Sequence, residues 1–303
     1  MSKFFEHAAL LKCPICGGAL GARDNSLVCT QGHTFDVSRK GYVHFAPNAK
    51  PSRYDRTLFE ARRRVVNARF YAPMRTAILD AVARYAPNAQ VSLDAGCGDG
   101  SFTRALHRGG QMLALDLSKD AIALAATRSD PILWMVADLT RMPVADGCVD
   151  VLFDLFSPAH YEAFSRVLTR DGILVKVVPQ SGYLQEIRAA AGEQLRHDTY
   201  SNAPVVKLLS ERFHVLETKR VTAEFQLNEA EASDFLAMTP LLFHVDAQAI
   251  APQSIGTITV DVDVLVAKKT RIKGIGVQLD AFLILAACST SGRAYTSDVL
   301  PEK

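Results

Sequence analysis

Residues 91–103 read VSLDAGCGDGSFT. A short apolar run carries one acid, Asp94. Glycines then fall at alternate positions, Gly96, Gly98 and Gly100, with Asp99 between the last two, and a helical pattern begins at Ser101. Strand, glycine turn and helix in that order bring a backbone close to a ligand and point a helix N-terminus at it. A dinucleotide fingerprint, G-x-G-x-x-G, would need glycine at position 101, where the chain has Ser101. The observed D-x-G-x-G-x-G holds no pyrophosphate cradle and suits the methionine portion of S-adenosylmethionine.

Downstream, the same alternation repeats. QMLALDL, ILWMVAD, VDVLFDLF and GILVKVVP are short apolar runs separated by helical stretches at 101–107, 119–128 and 161–168. Such spacing predicts βαβ units and a parallel sheet covered on both faces. Asp116 ends the second strand, placed to accept from both ribose hydroxyls. Asp138 ends the third, where a carboxylate can accept from the adenine amino group. Asp154 ends the fourth, followed by Leu-Phe-Ser-Pro, and ligands in open α/β sheets sit beyond such strand ends. For Asp154 a helix-capping or edge carboxylate is the competing reading. Helices near 183–195 and 204–211 follow, then strands at 213–227 and 255–267 with a helical stretch, NEAEASDFLAMTPLLF, between them.

Upstream, residues 13–33 read CPICGGALGARDNSLVCTQGH, placing Cys13, Cys16, Cys29 and His33 in a C-x2-C, twelve-residue, C-x3-H pattern. Three thiolates and an imidazole complete a closed tetrahedral site for Zn²⁺, so the metal is expected to be structural. The other cysteines stand singly at 97, 148 and 288, as in a reducing cytoplasm. No apolar run is long enough to span a membrane. The net charge is only +2, but residues 39–75 carry +8 and the remainder −6. That asymmetry points to a polyanion partner, with a solvated helix face as the plain alternative. Residues 57–85 read as helix, interrupted or restarted at Pro73. The last segment, from about 269, has a basic start and an apolar run and carries no assigned role.

These motifs together resemble one family, the bacterial 23S rRNA (guanine-N1)-methyltransferases of the RlmA type. The resemblance runs from Cys13 to about Ala267 and rests on CPICGGAL…VCTQGHTFDVSRKGYV, EARRRVVNARFYAPM, LDAGCGDGSFT, LFSPAHYEAFSRVL, ILVKVVPQSGYLQEIR and Met238-Thr239-Pro240. It implies an α/β, Rossmann-like class I S-adenosylmethionine-dependent methyltransferase domain with a small N-terminal zinc-binding domain. The expected division is 1–46 zinc-binding and RNA-recognising, 47–85 basic linker and helix, 86–268 methyltransferase, and 269–303 a C-terminal extension. Tyr71, Gly98 and Asp99 align with the family's cofactor contacts, and Tyr183 stands where members often have histidine. The implied substrate is N1 of a guanine in a 23S rRNA hairpin loop lining the peptide exit tunnel, and members form homodimers.

Asp94, Gly96, Gly100, Asp116 and Asp138 join Tyr71, Gly98, Asp99 and Tyr183 around the cofactor. Asp154 is the candidate general base, because guanine N1 must lose its proton before or during attack. Phe156 and Tyr161 are candidates to stack on a splayed base, with a core role as the alternative for Phe156. Arg53, Arg56, Arg62, Arg63 and Arg64 are the candidate rRNA contacts, although three consecutive arginines on a helix fan over about 200° and cannot share one face. Two other functions compete: methyl transfer to a small molecule or protein, and RNA binding without catalysis.

Overall fold

The computed structural model describes residues 2–47, 54–126, 129–192, 201–245 and 250–270. Arg53, residues 193–195 of the expected helix and nearly all of the C-terminal extension lie outside them. The chain opens with α1 (Lys3–Glu6) and an antiparallel sheet of β1 (Leu20–Arg23), β2 (Ser26–Cys29) and β3 (Thr34–Asp36). After β4 (Tyr42–His44) comes α2 (Arg56–Asn67), capped by Asp55, whose carboxylate accepts from the Leu58 N–H. The expected long helix breaks over residues 68–71. It restarts as α3 (Ala72–Tyr85) with Pro73 in the first turn, where a missing N–H costs nothing.

The sheet-and-helix alternation follows as β5 (Val91–Ala95), α4 (Ser101–Leu106), β6 (Gln111–Asp116), α5 (Lys119–Ala125), β7 (Leu133–Val136), β8 (Val149–Leu155), α6 (Tyr161–Val167) and β9 (Leu168–Pro179). Next come α7 (Gln185–Ala191), α8 (Ala203–Arg212), β10 (Phe213–Gln226), α9 (Glu229–Met238) and β11 (Thr257–Lys269). The large sheet has the order β10-β11-β9-β8-β5-β6-β7-β4. Pairing is parallel from β9 through β4, and β11 runs antiparallel to both of its neighbours. The chain leaves β5 toward β6 on one side and reaches β8 on the other. A crevice therefore opens beyond the strand ends of β5 and β8.

One strand joins the ribbon to the large sheet: Val43 bridges to Val37 on the ribbon side, while Tyr42–His44 pairs parallel with β7 and forms an edge of the large sheet. A three-residue strand carries no local signal of which sheet it will join. The knuckle itself covers a sheet face rather than standing apart. Phe4, Leu27, Phe35 and the ligands Cys13 and Cys29 share a core with Leu93, Leu113, Met135 and Leu152 of the sheet and Phe164 of α6. The opposite face buries Trp134, Phe153 and Val175 against Phe70, Met74, Ile78 and Phe235. Each large apolar side chain buried on the knuckle side contributes about 1.5–3 kcal/mol gross, so the knuckle is part of this fold's stability.

Candidate functional site

The glycine loop leaves β5 with three residues in the left-handed region: Gly96 at φ 83°, Gly98 at 55° and Gly100 at 73°. The space a side chain would need is filled from inside the protein. A Cβ on Gly96 would lie 2.0 Å from Ser157 Oγ, and one on Gly100 would lie 2.3 Å from the Trp134 ring. At Gly98 it would meet Phe59 of α2 at 3.5 Å. The loop is thus clamped between the turn after β8 and the helix above it. Asp116 completes the clamp, accepting from the Gly98 N–H at 2.9 Å through one oxygen and from the Ser118 N–H at 2.7 Å through the other. Burial pushes its carboxyl above the ordinary carboxylate value. Asp99 is buried, accepting from Arg63 Nε at 2.8 Å and Ser101 Oγ at 2.6 Å.

An aromatic wall stands beside the loop. The Tyr71 and Tyr183 hydroxyls hydrogen-bond at 2.6 Å, bringing together two residues 112 apart in sequence. Phe156 stacks on Tyr183 with ring centroids 5.5 Å apart and 29° between planes. Phe102 packs edge-on against Tyr71. Phe156 sits at φ 55° and is 36% exposed, so it is a rim residue and not core. Non-glycine residues rarely hold that backbone conformation, and they persist there where surrounding contacts over-determine them. Tyr161, the other stacking candidate, is buried against Phe164 and Phe213 and cannot reach a base here.

Asp154 is fully buried: one oxygen accepts from the Lys176 ammonium at 2.6 Å, and the other, Oδ1, has no hydrogen-bond partner among the described residues. The same ammonium donates to the Ser157 carbonyl at 3.2 Å, tying β9 to the turn that carries Phe156. Burial raises the Asp154 carboxyl to about 6 even against Lys176. Lys176 was missed in the sequence, although a lysine inside ILVKVVP was itself a signal. Asp138 spends one oxygen on the Thr140 N–H and hydroxyl, both at 2.8 Å, capping a short turn.

Asp94 faces the start of α4, where the Thr103 hydroxyl donates to it at 2.6 Å. Burial raises its carboxyl from 3.8 to about 7. The native chain therefore holds a proton that the unfolded chain releases between about pH 4 and pH 7. Stability from this group falls as pH rises through that window. Asp94→Asn cannot ionise, so its melting temperature should gain on the wild type from pH 5 to pH 8. An offset that stays constant across that range would contradict the assignment.

At the other end of the chain, the four knuckle ligand atoms lie within 4.8 Å of one another. Cys16 Sγ is 3.7 Å from Cys29 Sγ, and His33 Nδ1 is 3.6 Å from Cys13 Sγ and 3.3 Å from Cys29 Sγ. Tetrahedral Zn–S and Zn–N bonds of about 2.3 and 2.0–2.1 Å require edges of roughly 3.5–3.8 Å, so the donor set fits zinc. The first pair sits on a turn closed by the Gly17 N–H on the Cys13 carbonyl, with Gly17 at φ 73°. Burial raises the Cys29 thiol, but backbone N–H groups of Gln31 and His33 outweigh it and bring it to about 6. A thiolate ready to ligate is the result.

Residues 11–53 match the family model described as RlmA, N-terminal, a zinc ribbon, and residues 93–175 match the model of a methyltransferase domain. The chain is 35% identical over 275 residues to YxjB of Bacillus subtilis (strain 168), which bears the name of a 23S rRNA (guanine-N1)-methyltransferase; the match covers 86% of this chain and 98% of that one. A Micromonospora griseorubida protein of the same name is 31% identical over 78% of this chain and 88% of its own. The Streptomyces fradiae 23S rRNA (guanine(748)-N1)-methyltransferase is 29% identical over 80% and 88%. The protein is an S-adenosylmethionine-dependent methyltransferase with a zinc ribbon. The chain belongs to the family of 23S rRNA (guanine-N1)-methyltransferases.

Proposed function

We propose that this protein methylates N1 of a guanine in a hairpin loop of 23S rRNA near the peptide exit tunnel, acting in the cytoplasm as a homodimer. The observation that carries the reading is the zinc ribbon packed into the same core as the glycine-loop sheet, over a length shared with relatives named for that reaction. The bound cofactor supplies an electrophilic methyl group on a sulfonium. The chain's own residues orient and enclose the base. Phe156 offers an exposed face for an unstacked guanine, and the Tyr71–Tyr183 pair forms the wall behind it. Asp154 and Lys176 hold the Phe156 turn from beneath. Among the described residues no helix is long and apolar enough to cross a membrane.

The basic stretch divides by partner. Arg63 is largely buried and committed to Asp99. Arg56 and Arg64 are exposed and pair with Glu60 and Asp234, contacts that a phosphate can displace. Neutralising Arg64 should lower the slope of log affinity against log salt for a hairpin-loop RNA by about 0.7–0.9. Arg63→Ala should leave that slope unchanged and disturb the glycine loop instead. Equal slopes for wild type and Arg64→Ala would leave this helix face merely solvated. The function itself is tested by incubating purified protein with labelled cofactor and a 23S rRNA transcript, then digesting to nucleosides. Label in 1-methylguanosine is the expected product. Label in another nucleoside, or in protein or a small molecule only, would overturn the reading.

A further inference from the structure

Three consecutive arginines on α2 point three ways, and the middle of the site receives one of them. Arg63 holds Asp99 and Arg64 holds Asp234, each through a carboxylate. Arg62 makes no ion pair among the described residues. Its guanidinium lies over two rings, 5.7 Å from the Tyr54 centroid and 5.8 Å from that of Phe59. One Nη2–H bond to the Met238 carbonyl at 3.2 Å fixes it from the side of α9. Phe59 is the ring that rests on Gly98, so the charge stands one ring's width from the glycine loop. It is half-buried, held by three contacts, and keeps most of its five N–H donors unused among the described residues.

The surroundings of this charge are cofactor residues, not a solvent face. Burial raises the Tyr71, Tyr183 and Asp116 groups, and Arg62 pulls all three back down through its field. Those groups come from α2–α3, from the turn after β9 and from the end of β6. A guanidinium between them needs an anion. Asp116 already accepts two backbone N–H groups, and Asp99 is neutralised by Arg63. S-adenosylmethionine carries one anionic group, the α-carboxylate of its methionine part, beside a sulfonium and an ammonium. A planar guanidinium fork matches a carboxylate bidentately.

We propose that Arg62 is the receptor for the cofactor's α-carboxylate, and so belongs to the methyl-donor pocket instead of the rRNA surface. The assignment rests on the cofactor site described above. It makes Arg62 a reader of the amino-acid end of the ligand, so a nucleoside lacking that end should ignore it. Aromatic rings beneath the guanidinium stiffen it in place before the ligand arrives.

The test is calorimetric and needs no turnover. Wild type, Arg62→Met and Arg62→Lys are titrated with S-adenosylhomocysteine, which has the carboxylate, and with 5′-methylthioadenosine, which lacks the amino-acid part. Arg62→Met should weaken S-adenosylhomocysteine about 10–100-fold, the loss expected for a charge-assisted bidentate contact, and leave 5′-methylthioadenosine within about twofold. Arg62→Lys should fall between, because the charge survives without the fork. Equal losses for both ligands would make Arg62 a packing residue for Tyr54 and Phe59, and overturn the proposal. Unchanged binding of both ligands with weakened hairpin RNA would return Arg62 to the rRNA surface. Failure of the wild type to bind either nucleoside would overturn the cofactor site itself, and this assignment with it. Thermal melts of each variant separate loss of ligand from loss of fold.

Discussion

Removing zinc is expected to destabilise the large sheet as well as the ribbon packed on it. Purified protein should contain one zinc per chain, and Cys16→Ser should lose it. Structural zinc contributes an apparent ~10–16 kcal/mol to folding in isolated zinc-finger peptides, comparable to the entire net stability of an ordinary domain. Here Cys13 and Cys29 lie in the same core as Leu93, Leu113 and Leu152, so a ribbon that opens uncovers a face of the large sheet. Even a third of the peptide value would lower the melting temperature by roughly 10 °C in a chain of this size. Metal analysis beside thermal melts, with and without chelator, reads this directly. A metal-free preparation that melts with the native protein would show the ribbon to be a dispensable appendage.

The second large effect is expected at Gly96. An alanine there would take a left-handed backbone at φ 83° and put its methyl 2.0 Å from Ser157 Oγ and 2.7 Å from Ser157 Cβ. The backbone cost is about 1–2 kcal/mol and the overpacking about 1–3, so the variant should lose about 2–5 kcal/mol. Ser157 belongs to the turn that carries Phe156, so the clash also displaces the aromatic wall. Cofactor binding by calorimetry should fall more than tenfold. The double variant Gly96→Ala/Ser157→Gly removes the overlap and keeps the backbone strain, so it should recover part of the stability and affinity. If the single variant melts and binds as the wild type does, the loop does not pack against the β8 turn as described.

Much of this architecture was legible in residues that act locally. Strands β5 to β8 are apolar runs bounded by turn residues and form close to their expected places. By contrast, β9 begins at Leu168, ahead of the run GILVKVVP, and β10 alternates half-buried and exposed residues over 220–226. Pro73 marked the restart of α3. The knuckle's spacing gave its ligands, because a metal site imposes a strict pattern on few residues. What escaped the sequence were the partners of charged groups. Arg62, Arg63 and Arg64 look alike in a string, yet their partners lie 176, 36 and 170 residues away. Only tertiary packing sorts them. Asp154 read as an acid at a strand end, and its pairing with Lys176 emerged only when β8 and β9 lay side by side. Alternate glycines suggest close ligand approach, and the structure adds a second reason for them: the side-chain space at Gly96 and Gly100 is taken by Ser157 and Trp134.

On the proposed function, the glycine-loop crevice and the zinc ribbon together direct a methyl group to N1 of a ribosomal guanine. Methylation at N1 blocks Watson–Crick pairing, so reverse transcriptase halts beside the modified base. Primer extension across 23S rRNA from cells with and without the gene is the direct measurement. A stop at one hairpin-loop guanine, present with the gene, absent without it and restored by wild type but not by Gly96→Ala, is the expected result. Identical extension patterns in both strains, with the protein expressed, would contradict the account.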